Sequence, residues 1–193
     1  PGAAQPMFTP GEHDGRMHIE NLLRAMPFII FVALVEETTW MKYCTTRLQQ
    51  KYTAFVSCTI TGIIWGLWYL PMLLLGEGVP DGIPWYMFLL SMIGLAILLG
   101  WVYNMTHSGL ILLIMQIVSN IAFFIMPALP MAHHGDASWI KAFVWMEIAI
   151  AAFLVIKYGH REMGEGPRPT WSGTTVAEDE GDPAPPVRMA STT

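Results

Sequence analysis

Apolar residues along this chain gather into runs separated by short polar clusters. The runs lie near residues 21–43, 53–75, 84–104, 108–128 and 138–158, each close to the roughly 20 residues a helix needs to cross the hydrocarbon core of a bilayer. In WYMFLLSMIGLAILLGWVY, residues 85–103, apolar side chains fall on every face, whereas a membrane β-strand would alternate with period two. A helix satisfies its own backbone in lipid, which offers no other hydrogen-bonding partner. The pattern predicts an all-α, polytopic transmembrane bundle of about five spans. The first run is the weakest, because AMPFIIFVALV, residues 25–35, stops at two acids and a full crossing has to include them.

Composition agrees: 53% of the 193 residues are hydrophobic and 13% are charged, with a mean hydropathy of +0.44, above that of a soluble domain. Lys42, Arg47 and Lys51 join the first two runs, and Lys157, Arg161 and Arg168 follow the last. The loops GEGVPDG and MAHHGDAS carry no Lys or Arg. Basic residues accumulate on cytoplasmic loops, so the expected topology has the N-terminus outside and the C-terminus inside, in the cytoplasmic membrane of a prokaryote. Three regions follow: a polar segment over 1–20, a helical domain over 21–160 and a Pro/Gly/acid-rich tail over 161–193. The first region shows no secretory signal pattern and no initiator Met, as expected of a processed or partial chain. The tail holds too little apolar surface to fold alone; an ordered tail would need a neighbouring subunit. Other integral membrane proteins and membrane lipids are the expected partners, and nucleic acid is not.

Several residue types invite chemistry and receive plainer readings. Cys44 and Cys58 lack the spacing of a disulfide framework or zinc site and are read as small apolar helix residues. His133 and His134 with Asp136 lack a third metal ligand and are read as a solvated loop, and His160 as a headgroup contact. Trp85, Trp101 and Trp139 stand near span ends, where indoles anchor at the interface. Gly62, Gly66, Gly94 and Gly100 offer surfaces for close helix approach, either inside the protein or against partners. No metal, pigment or other cofactor is expected.

The paired acids Glu36 and Glu37 are different. A carboxyl within a spanning helix costs roughly 2.5–3.5 kcal/mol on insertion scales and normally faces the protein interior. Using ~1.5 Å per residue, Glu36 lies about one to two turns from Lys42, inside the bilayer towards the cytoplasmic side. The plainer alternative is that the acids reach the interface and meet Lys42 or Arg47.

Later segments give these acids a context. The paired acids are followed by Arg47, Leu48 and Gln49, then by a helix ending WGLWYLP, then by WVYNMTHSGLILLIMQIVSN. This order resembles the CAAX protease and bacteriocin-processing enzyme family of intramembrane proteases, over roughly residues 25–158. Members usually carry further helices before the paired acids, and none precedes them in this sequence. The resemblance implies a membrane cavity in which the first Glu activates water, aided by a His on a second helix. A His and an Asn on a third helix would stabilise the oxyanion on the scissile carbonyl.

Carried onto this chain, Glu36 and Glu37 match the paired acids and Asn120 keeps the amide of the third motif. Met41 stands where the family has Arg, Tyr69 where it has the first His, and Gln116 where it has the second. Imidazole titrates near neutrality, a phenol only near pH ~10 and an amide not at all. Losing general acid–base help of that kind typically costs about 10²–10⁴ in rate. Glu36, Glu37, Tyr69, Gln116 and Asn120 are therefore read as a polar cluster that ties helices together in a non-catalytic subunit or scaffold of a larger membrane complex. The alternative is an active glutamate-dependent endopeptidase that cleaves lipidated or membrane-embedded peptides. A transporter is a weaker third reading, since no broken helix or inverted repeat is visible.

Overall fold

A computed structural model describes residues 15–75, 84–125 and 138–170. They form helices α1 (Gly15–Glu36), a π-helix (Glu37–Thr45), α2 (Thr46–Gln49), α3 (Ala54–Trp68), α4 (Leu70–Leu74), α5 (Trp85–Thr106), α6 (Gly109–Ile125) and α7 (Ser138–Tyr158). Among the described residues the fold is all-helical, as the sequence pattern predicts. Ala54–Met72 and Trp85–Thr106 are each long and apolar enough to cross a membrane, and Gly109–Ile121 is a shorter apolar helix. Large apolar side chains such as Phe28, Phe31, Ile64, Val118, Phe153 and Ile156 face outward. Such a surface suits lipid, and the protein is a membrane protein.

Helix α5 is the centre. It makes its most extensive contact with α3 and its next with α7. One side of α5 contributes Met92, Ala96, Leu99 and Tyr103 to a core shared with Met41, Trp65 and Leu112. Another side brings Ile97 against Ala54, Cys58, Ala151 and Met163. Glycines permit this crowding. A Cβ on Gly62 would stand 2.6 Å from the Cα of Ile93, and one on Gly100 would collide with the sulfur of Cys58. The open question of where the glycines act is thereby answered for Gly62 and Gly100: their small surfaces are used inside the bundle, between α3 and α5.

The first helical element departs from the run predicted over 21–43. It continues without a break from Gly15 to Gln49 and changes to π geometry at Glu37. In an α-helix, residues four apart drift by about 40° per step; the wider i→i+5 turn brings them closer to one line. Glu37, Met41 and Thr45 are the buried residues of the π segment. Two threonines complete the irregular turns: Thr45 Oγ1 donates to the Trp40 carbonyl at 2.9 Å and Thr46 Oγ1 to the Lys42 carbonyl at 2.5 Å. Thr45 and Thr61 also share a buried hydrogen bond of 3.0 Å, which joins the π-helix to α3.

At the end of α7, Gly159 takes a left-handed conformation (φ 79°), which removes the Cβ penalty at a helix C-terminus. The chain then folds back over the start of α3. The amides of Ala54 and Phe55 donate to the carbonyls of Arg161 and His160 at 2.8 and 3.1 Å, and Val56 N–H reaches Thr53 Oγ1. These contacts satisfy amides that a helix N-terminus leaves without internal partners. Asn104 Nδ2 donates to the Glu162 carbonyl at 2.7 Å and accepts from Gln49 Nε2 at 3.2 Å. Arg168 bridges to Glu162 at 2.9 Å and to the Tyr52 carbonyl at 2.6 Å. Residues 159–170 thus strap α2, α3 and α5 together. Residues 171–193, like most of 1–20, lie outside the described residues.

Trp101 corrects an expectation. Its indole packs into the core near Ile97 and stands 5.7 Å from the Tyr158 ring. Its N–H is buried without a hydrogen-bond partner among the described residues, so it serves packing instead of interfacial anchoring. Trp85 is 57% exposed at the start of α5, as an anchor would be.

Close packing at Gly62 gives a direct test. Gly62→Leu is expected to destabilise the protein by about 1–3 kcal/mol, the usual cost of overpacking. The outward-facing Ile64→Leu should stay within about 0.5 kcal/mol. Thermal unfolding of both variants in the same detergent checks this.

Candidate functional site

The last α-helical residue before the π segment is Glu36, and three side chains from two other helices converge on it. Tyr69 Oη donates to Glu36 Oε1 at 2.5 Å, Trp65 Nε1 donates to the same oxygen at 3.4 Å, and Gln116 Nε2 donates to Oε2 at 2.8 Å. The carboxyl therefore ties α1 to the end of α3 and to α6.

Local sequence explains the placement of each donor. Trp65 is 1% exposed and stacks on Trp40 with ring centroids 5.9 Å apart, which fixes its ring plane. Tyr69 closes α3, its amide bonding to Gly66 and Leu67 in a tightened turn. Pro71, two residues on, has no N–H to donate four residues back, and the α-helical pattern is interrupted at Tyr69 before it continues as α4. The Tyr69 ring is held edge-on by Phe88, 5.6 Å away. Gln116 is 8% exposed and projects from the buried side of α6, one turn beyond Leu112.

Trp65 stands eleven residues into α3 and Gln116 seven into α6, roughly 16 and 10 Å from the end closed by the strap. Tyr69 is farther still.

The other two predicted members stand apart from this cluster. Glu37 is 4% exposed, and neither of its carboxyl oxygens has a hydrogen-bond partner among the described residues. It shares the buried line of the π-helix with Met41 and Thr45, while Glu36 meets the three donors. Asn120, one turn beyond Gln116, is half-buried, and no hydrogen bond joins it to Glu36 among the described residues. Met41 is fully buried in the core with Trp65 and Leu112. Lys42, beside it, is exposed. His107 is exposed in the left-handed cap (φ 52°) that ends α5, and His160 is exposed in the strap. His133, His134 and Asp136 lie outside the described residues. No histidine bonds to Glu36 among the described residues, and no three His, Cys, Asp or Glu side chains converge there as metal ligands.

Two polar pairs escaped the sequence reading. Glu147, in mid α7, is 4% exposed and accepts a 2.6 Å hydrogen bond from Ser91 Oγ on α5. Its Cγ lies against Gly94, so the missing side chain there lets the acid in. The signal was present: a lone acid inside WMEIAIAAF is the kind of intramembrane group that defaults to an internal role. The second pair, Gln49 and Asn104, belongs to segments that carry the family resemblance but holds the strap and not the acid cluster.

The site is thus a carboxyl held by donors from two further helices on an all-helical scaffold. The model of one family, Type II CAAX prenyl endopeptidase Rce1-like, matches residues 18–122, more than half of the chain. The chain belongs to this family. The match includes Glu36, Glu37, Tyr69, Gln116 and Asn120 and ends before α7. No curated protein and no solved structure matches the chain.

The three donors should act as a unit with the acid. Tyr69→Phe is expected to cost about 0.6–2 kcal/mol, the range for interhelical hydrogen bonds in membranes, and much less when Glu36 is already Leu. A double-mutant cycle on detergent unfolding, with a coupling near 1 kcal/mol expected, checks this.

Proposed function

We propose that this protein is a catalytically degenerate intramembrane-protease homologue that serves as a non-catalytic subunit or scaffold in a larger membrane complex. The observation that carries the reading is the donor set around Glu36. A general base needs a lone pair facing a water and a partner that can pass the proton on. Here a phenol, an indole and a carboxamide donate to the acid, and none of them relays a proton near neutral pH. Arg is replaced by Met41, whose side chain supports packing. The cluster then works as a joint between α1, α3 and α6, and the outward apolar faces of the helices meet lipid and other membrane proteins. In this reading the basic strap end faces the cytoplasm, the protein resides in a prokaryotic cytoplasmic membrane, and the tail beyond residue 170 contacts a neighbouring subunit.

The competing reading is an active endopeptidase of the CAAX-processing type. It is favoured by the presence of Glu36, Glu37 and Asn120 at positions that match the family's motifs, with Glu36 as the base. The two readings differ in what Glu36 does for the assembly. With the scaffold reading, Glu36→Gln keeps a hydrogen-bonding group of the same size and leaves co-purification with native partners unchanged, while removal of residues 171–193 lowers it several-fold. Affinity purification of tagged variants from native membranes checks this. A Glu36→Gln variant that purifies normally but accumulates an uncleaved membrane peptide would favour the peptidase.

A further inference from the structure

The strap gathers the basic residues of two distant segments at one end of the bundle. Hydrogen bonds from Ala54 and Phe55 to Arg161 and His160, and from Arg168 to Tyr52, bring the α2–α3 turn against the end of α7. Arg47, Lys51, Lys157, His160 and Arg161 are all exposed there. Acids at this end are Glu162, bridged to Arg168, and the exposed Glu165. Tyrosines accompany the cations: Arg47 sits 5.8 Å from the Tyr43 ring centroid and Lys157 lies 5.0 Å from that of Tyr158, while Tyr52 is 48% exposed. Aromatic rings paired with long basic side chains are suited to headgroup depth, where the ring and stem lie along acyl chains and the charge meets phosphate. Cations on the described residues of the opposite end are sparser, where Arg24 and Lys141 are exposed together with the acid Glu20.

From this juxtaposition we infer that the strap end is a recognition surface for anionic phospholipid headgroups, with Lys51 and Arg161 at its centre. The occupant follows from charge and place: a dense positive collar ringed by tyrosines, bordering helices whose outer faces are apolar. The inference holds whichever side of the membrane the collar faces and does not rest on the scaffold reading.

The test uses the full chain, reconstituted into nanodiscs of phosphatidylcholine with a minority of phosphatidylglycerol and then re-extracted into uncharged detergent. Lipid retained by the protein is measured by mass spectrometry. Phosphatidylglycerol is expected to be enriched over its share of the mixture. Each basic side chain near an anionic surface contributes on the order of fivefold, so Lys51→Gln with Arg161→Gln should lower the enrichment by roughly tenfold or more. Arg24→Gln with Lys141→Gln should leave it unchanged. An unaltered unfolding temperature in uncharged detergent shows that both pairs fold. Absence of enrichment in the unaltered chain, or equal loss from both pairs, overturns the inference. Enrichment that appears only after AEDEGD, residues 177–182, is made neutral would assign the collar to the chain's own acidic segment and overturns it too.

Discussion

A carboxyl group drawn in between apolar helices has to be met by donors from other helices, and Glu36 is met by Trp65, Tyr69 and Gln116. Removing a charge or dipole from water is costly unless hydrogen bonds replace those lost, so the acid fixes the position of each donor. The tightened turn at Tyr69, the stack of Trp40 on Trp65 and the inward side of α6 can all be read as consequences. So can the π-helix that begins at the next residue, because it lets Glu37 and Met41 bury along one line while Glu36 faces the donors.

The rest of the molecule repeats this solution with fewer partners. Glu147 meets Ser91 where Gly94 leaves room, and Asn104 joins Gln49 to the strap. Helix α5 separates the core that holds Trp65 from the core that holds Met163. Since hydrophobic contact gives helices little reason to associate within lipid, close backbone approach at glycine and a few polar pairs carry the specificity. Many large apolar side chains face outward.

Much of this was legible in the sequence, for reasons that can be named. Apolar runs mark helices well, because lipid allows few other backbone solutions, and the paired acids announced an internal site. Spacing and order of three motifs led to the family that residues 18–122 match. What the sequence hid was geometry. A change from α to π turns leaves no trace in composition, so the separation of Glu37 from Glu36 could not be read from adjacency. Asn120 was grouped with Gln116 by its spacing, yet spacing on one helix does not say how far that helix tilts across the cluster. Trp101 stands near a span end, but its half-buried ring packs against a core that includes Met163 of the strap. The strap itself was obscured by its Pro/Gly-rich composition, which resembles an extended tail until Gly159 turns it back.

Function turns on whether the donors around Glu36 leave any base chemistry behind. In the proposed reading, the phenol of Tyr69 and the amide of Gln116 hold the acid by hydrogen bonds but do not move protons at neutral pH. The most direct measurement is cleavage of prenylated and unmodified membrane peptides by the pure protein in liposomes, followed by mass spectrometry alongside Glu36→Ala. The account predicts no cleavage above the peptide-only background in either sample. Hydrolysis by the unaltered protein that disappears with Glu36→Ala would contradict it.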